Sequence, residues 1–368
     1  MPALLAILVA LLLYGTLSPF RFDFAHHAGN PLIHLLHSWP SGFTPGNVRD
    51  AVLNVAIFVP LGAAAFVTYA RPWPRRAAFV LAVLHGSLLS LAVELLQYYD
   101  ATRTSSASDW LFNTVGTLAG ATLALLFRRR IEAVVSSAGR RGAAPGLLLA
   151  ACWMAAQLYP LLPVITRSKL WAAWALLTAS RISWVEVIAG AAGWFVFAVA
   201  LRAAWEKLSW RWVALAMLVV PLRLVIADRA VGKSDLLAAA VALALWCLSS
   251  DAARPGAAWL LMIAALFVRE FAPFHLGPPH AFSWIPFAAS MEAEGTTNVV
   301  VILRKAYEYG AMIWLLRAGK VRYLAGAVLL AIALFAAEML QTRMPGRTPE
   351  ITDSVLALLM GLILRVVT

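Results

Sequence analysis

The sequence predicts an all-α fold: a polytopic integral membrane helical bundle of about twelve transmembrane helices, arranged as three parallel four-helix units. Three observations predict it. Of 368 residues, 62% are hydrophobic and only 13% charged, far from the usage of a soluble domain. Apolar runs near the roughly 18–20 residues needed to cross a bilayer recur along the whole chain, bounded by Arg, Pro or Gly clusters. A polar pattern between such runs is written twice. Its first copy is Glu94-Leu95-Leu96-Gln97, Arg103-Thr104 and Ser108-Asp109; its second is Glu338-Met339-Leu340-Gln341, Arg347-Thr348 and Thr352-Asp353. Both copies keep offsets of three, nine and fifteen residues from the Glu.

In chain order, the runs place spans near 2–17, 49–70, 77–97 and 109–127, then 145–160, 183–204, 209–228 and 234–250, then 256–271, 298–317, 321–341 and 353–367. The first opens Met1-Pro2-Ala3 with no basic residue and no small-x-small pattern before Ser18-Pro19, so it reads as a retained helix rather than a signal peptide. The second carries Asp50 and Asn54 before Phe58-Val59-Pro60-Leu61-Gly62, polar at one end and kinked near its middle by proline. The fourth opens on Ser108-Asp109 and the last on Thr352-Asp353; a hydroxyl cap followed by an acid complements a helix N-terminus.

Two further recurrences divide the spans into units 1–141, 145–254 and 255–368. Pro-containing exits follow the first span of each, at Leu17-Ser18-Pro19-Phe20, Leu158-Tyr159-Pro160-Leu161 and Phe271-Ala272-Pro273-Phe274. Arg-to-Asp steps of six residues precede the last span of each, Arg103 to Asp109, Arg229 to Asp235 and Arg347 to Asp353. The middle unit is degenerate, with Val220 and Arg223 where a Glu and a Gln are expected. An even number of spans per unit makes the repeats parallel, unlike the inverted repeats of many transporters.

The net charge of +12 does not imply a nucleic-acid partner, because the basic residues lie mostly in short loops between spans. Arg71, Arg75 and Arg76, then Arg128, Arg129, Arg130, Arg140 and Arg141, then Arg202, Lys207 and Arg211, then Arg254, then Arg317, Lys320 and Arg322 all fall on one side if spans alternate. The positive-inside rule puts that side, and both termini, in the cytoplasm; the polar loops 98–108 and 342–352 then face outward. Cys152 and Cys247 fall inside apolar spans, which excludes a disulfide framework. His26, His27, His34, His37, His275 and His280 lie in the long connections 18–48 and 272–297 without a compact ligand spacing, so no metal or cofactor is expected from them.

The repeated residues admit two readings. Residues three apart on a helix share a face, so Glu94 projects with Gln97, Ser90 and Ser87, and Glu338 with Gln341. A buried clamp tying each helical hairpin is the structural reading, since polar groups in a membrane need partners. A constant Arg before a helix-opening Asp favours an anion pocket. In that reading Arg103, Arg347, Arg304 and Lys305 hold a phosphate or carboxylate, and Glu94 and Glu338 orient the ligand or act as catalytic base. Gln97, Gln341, Asp109 and Asp353 fix the guanidinium groups, and Asn54 and Asn113 complete the ligand-binding set. Arg304, Lys305 and Glu308 lie within one span and leave one positive charge, suited to an acidic headgroup or to Glu338.

Asp50, Asn54, Phe58-Val59-Pro60-Leu61-Gly62, Glu94, Gln97, Arg103, Asp109, Asn113, Gly116 and Gly120 together resemble the VanZ-like family over roughly residues 10–130. The third unit looks like a diverged copy, with Ala357 at the place of Asn113 and Tyr309-Gly310 at that of Pro-Leu-Gly. The resemblance implies a bacterial cytoplasmic-membrane protein of the cell envelope, associated with resistance to teicoplanin-type antibiotics, and brings no established reaction. The reading that follows is an envelope protein binding an anionic membrane lipid or lipid-linked glycan intermediate near the outer face, linked to glycopeptide resistance or surface polysaccharide. A transporter or lipid scramblase, and a structural membrane scaffold, are the alternatives.

Overall fold

The computed structural model describes residues 2–17, 20–24, 29–39, 42, 45–100, 104–127, 143–160, 164–205, 208–272, 274–288 and 296–368. These residues form fifteen α-helices and one 3-10 turn, with two isolated β-bridges and no strand. They divide into two compact units, Met1–Ser136 and Ser137–Thr368.

The first unit holds α1 (Pro2–Leu17), α2 (Pro31–His37), α3 (Pro45–Tyr69), α4 (Arg75–Gln97) and α5 (Ala107–Leu126). Asn30 starts α2 by accepting the backbone N–H groups of Leu32 and Ile33, with Pro31 at a position where no amide hydrogen is needed. The α3 helix runs through Pro60 without ending there. It packs most extensively on α5, and glycine makes that possible: a Cβ on Gly120 would overlap the Val59 carbonyl oxygen, and one on Gly62 the Thr117 backbone. Close backbone approach replaces the hydrophobic drive that a lipid environment cannot supply. Phe58, Leu61, Phe66, Ala78, Ala82 and Ala121 fill the core between α3, α4 and α5.

The second unit contains α6 (Ala143–Leu158), α7 (Arg167–Ala179), α8 (Trp184–Ala204), α9 (Trp210–Met217), α10 (Val219–Leu222), α11 (Lys233–Leu248), α12 (Arg254–Phe271), α13 (Thr296–Ala318), α14 (Tyr323–Gln341) and α15 (Thr352–Val367). Its centre is α8, buried along most of its length against α6, α11 and α12. Trp153 lies over Gly193 and packs edge-to-face on Trp194 and at a tilt against Tyr307, while the Tyr307 hydroxyl donates to the Gly193 carbonyl at 2.8 Å.

Four described helices are long and apolar enough to cross a membrane, Asp50–Tyr69, Arg75–Gln97, Trp184–Ala204 and Tyr323–Gln341, and Leu4–Leu17 and Ala144–Leu158 are shorter apolar helices. Other expected spans coincide with described helices that are shorter or more polar and do not qualify on length and hydropathy: α15 has 16 residues, and α13 carries Arg304, Lys305 and Glu308. The expected span 209–228 is not one helix. It breaks into α9, α10 and a 3-10 turn at Arg223–Val225, because Pro221 has no amide hydrogen to continue the helical ladder. The α7 helix fills a connection where no helix was expected, capped by Thr166 on the Lys169 amide.

Candidate functional site

In the first unit the site forms where α4 ends and α5 begins. Glu94 is buried, and its Oε2 accepts the Ser106 backbone N–H at 2.8 Å. Gln97 donates to the Thr16 carbonyl at 2.8 Å, which ties α4 to the end of α1. Asn113 donates to Ser90 at 2.9 Å, and Trp110 and Thr114 converge on Ser87. Asp109 takes hydrogen bonds from Asn54 and Ser108 and faces the charge of Asp50. A cavity of about 450 Å³ opens here, lined by Ser38, Asn47, Asp50, Ser106, Ser108 and Asp109 among others. Its polar lining is hydroxyl, carboxylate and the Asn47 carboxamide, suited to a hydroxyl-rich group. Arg103 lies outside the described residues.

The second copy of the pattern is built alike with different partners. Glu338 Oε2 accepts the Glu350 N–H at 3.0 Å, again twelve residues on. Gln341 reaches the end of α12, donating to the Glu270 carbonyl at 3.1 Å and to its carboxylate at 2.6 Å. Arg347 donates to the carbonyls of Arg269 and Ala272, closing the C-terminus of α12. Asp353 is buried and pairs with Lys305 at 2.6 Å, so Lys305, not Arg347, is its cation. Arg304 lies 3.9 Å from Glu308, which also meets Arg269 at 3.2 Å.

Between these lies the degenerate stretch. Arg223, at the place of the Gln, joins Gln157 at 3.2 Å and Asp235 at 2.9 Å. Arg229 donates to the Ala156 carbonyl at 3.1 Å, as Arg347 does to that of Arg269. Burial and the neighbouring Arg223 guanidinium lower the pKa of Arg229 to about 10. Arg223, Arg229, Arg269 and Arg304 converge with Glu186, Asp235 and Gln157 on one cavity of about 180 Å³. The Nε groups of all four arginines are buried there without a hydrogen bond, those of Arg269 and Arg304 facing Glu308 as ion pairs.

Sequence reasoning thus named Arg304 but missed Arg223, Arg229 and Arg269 as its companions, and missed Glu270 beside Gln341. Their signal was present: Arg269-Glu270 is a charged pair at the end of an apolar run, and Arg223 stands in the duplicated pattern itself. Of the histidines, His37 bonds the Ile33 carbonyl and His280 the Met344 carbonyl, while His26 and His27 lie outside the described residues.

Residues 3–128 match the model of the VanZ/LLP1 family. The first unit is VanZ-like. The match ends at the close of α5, so the second copy of the pattern and the arginine cavity lie beyond it. No curated protein and no solved structure matches the chain. Within the VanZ-like unit the matched stretch carries Asn54, Glu94, Gln97, Asp109 and Asn113, and the geometry unites them at one end of α3, α4 and α5.

Proposed function

We propose that this chain is a multi-pass protein of the bacterial cytoplasmic membrane that binds an anionic lipid, or a lipid-linked glycan intermediate, through its headgroup at the outer face. The observation that carries the reading is the arginine cavity: four guanidinium groups around about 180 Å³, those of Arg223 and Arg229 with buried and unpartnered Nε–H donors. Glu186 and Asp235 on its wall and Glu308 behind it leave one positive charge uncompensated. An uncompensated buried cation is costly in a membrane unless an anion meets it. The volume is below the roughly 300–1,000 Å³ of drug-sized sites, so it suits a phosphate- or carboxylate-sized group with the rest of the lipid outside. Arg304 keeps the role expected for it, with Arg223, Arg229 and Arg269 as the further anion contacts; Arg347 and Lys305 spend donors on protein carbonyls and on Asp353.

The reading also takes the chain as three parallel repeats, 1–141, 145–254 and 255–368. One backbone bond recurs at matching places, from Asp23 to Tyr99 at 2.7 Å, Val164 to Val225 at 2.7 Å and Gly277 to Arg343 at 2.6 Å. The side chain twelve residues before the motif Asp contacts the equivalent helix end: Gln97 meets Thr16, Arg223 meets Gln157 and Gln341 meets Glu270 once each motif is aligned on its Asp. The hydroxyl-lined cavity of the VanZ-like unit supports the glycan part of the proposal. A transporter is less well supported, because α14 is apolar from Val328 to Ala337 and offers no polar path behind Glu338.

Lipid mass spectrometry on the purified protein tests the proposal. An anionic lipid co-purifying with the wild type and lost from Arg223→Ala and Arg304→Ala is the expected result. The same lipid retained in both variants overturns it.

A further inference from the structure

Glu270 from α12, Glu338 from α14 and Asp353 from α15 each place a carboxylate oxygen within 4.8 Å of the other two, and all three residues are buried. Carboxyl groups gathered from three separate helices in a low-dielectric interior need either protons or positive partners. Two protein cations are in reach. Lys305 bonds Asp353 Oδ1, and Arg347 is close enough to Glu270 to act on its charge. They offset two of three negative charges, and Glu350 next to Glu338 adds a fourth acid.

Protein donors hold one oxygen of each carboxylate: Lys305 on Asp353 Oδ1, Gln341 on Glu270 Oε2 and the Glu350 N–H on Glu338 Oε2. The other oxygen of Asp353, Oδ2, is buried with no hydrogen-bond partner. The second observation is Tyr309. Its side chain is fully buried beside Asp353 and Glu270, and its hydroxyl has only Asp353 within reach, without a hydrogen bond of normal geometry. Two buried oxygens so poorly satisfied within a ring of carboxylates point to an oxygen-loving ligand.

We infer that Glu270, Glu338 and Asp353, with Tyr309 at their side, form a binding site for one hard divalent cation. Such a cation takes oxygen ligands at about 2.0–2.6 Å, and three carboxylate oxygens that all lie within 4.8 Å of one another can reach a single ion together. The inference stands apart from the anion cavity, whose lining includes none of these three carboxylates. The place taken by Glu270 in the second motif is taken by Thr16 in the first, where Gln97 makes the same kind of bond. The VanZ-like unit therefore has Glu94 and Asp109 at the matching places and Thr16 where the third carboxylate stands.

Titration of the full-length protein in detergent with Ca²⁺ by calorimetry, and with Mn²⁺ by electron paramagnetic resonance, tests the site. The wild type is expected to take up one ion per chain saturably, with affinity at least about tenfold lower in Glu270→Gln and in Glu270→Thr, the residue found at the corresponding place in the first unit. Arg223→Ala is expected to bind the ion as the wild type does, which separates this inference from the anion reading. Absence of saturable binding to the wild type overturns it, as does unchanged binding by either folded Glu270 variant; the first result would mean that the carboxyls hold protons instead.

Discussion

At the residue scale, the duplicated Glu, Gln and Asp are bound to the backbone and to one another before any ligand is considered. Each Glu accepts the N–H twelve residues ahead, which fixes the turn between two helices, and each Gln fastens that turn to the end of a third helix. Asp353 is the more exacting position, because it is only 1% exposed and depends on Lys305. Removing one partner of such a pair leaves a buried charge alone, at a cost of about 3–5 kcal/mol. Lys305→Met is therefore expected to lower the thermal midpoint in detergent with chelator present, and Asp353→Asn in the same chain to restore much of it. A Lys305→Met protein as stable as the wild type would show that the pair does not hold α13 to α15. The Glu, Gln and Asp of this pattern were legible in the sequence by their constant spacing. The partners Glu270, Thr16 and Ser90 were not assigned, because a bond between distant segments leaves no spacing to read.

At the element scale, glycine and alanine decide how closely helices approach. Gly120 on α5 faces the Val59 carbonyl on α3 with no room for a Cβ, and Gly62 and Gly86 both face Thr117. A methyl group at Gly120 has to push two backbones apart, an overpacking cost of about 1–3 kcal/mol. Gly120→Ala is expected to unfold at a lower temperature than the wild type, whereas Ala at Gly15, where nothing stands within 4 Å, is expected to leave the midpoint unchanged. Equal midpoints for the two variants would refute the close α3–α5 contact. Apolar run length predicted these helices well where the run was uninterrupted. It failed at 209–228, where one missing amide hydrogen at Pro221 outweighs twenty residues of favourable hydropathy.

At the scale of the whole molecule, the proposed parallel repeats of even span number predict basic loops on one side of the membrane and polar loops on the other. Cysteine labelling in a chain with Cys152 and Cys247 replaced tests this arrangement. Single cysteines at Arg75 and Arg322 are expected to be protected from an impermeant maleimide in intact cells, and single cysteines at Thr104 and Pro349 to react. Labelling of Arg322 but not of Arg75 would place the two units in opposite orientations and end the parallel reading. The family match covers only residues 3–128, so the chemistry of the remaining chain rests on its own residues, the arginine cavity and the carboxylate ring.

The sequence by itself determined that the chain is mainly helical and strongly apolar, that its first part is VanZ-like, and that one polar pattern returns at constant spacing. Those properties depend on composition and on neighbours along the chain, which periodicity and offsets report directly. Only the tertiary structure decided which charges meet: that Lys305 rather than Arg347 neutralises Asp353, that Arg223, Arg229 and Arg269 join Arg304, and that Glu270 completes a ring with Glu338 and Asp353. In a buried polar cluster the energy depends on distance and burial between residues from different helices, and a sequence records neither.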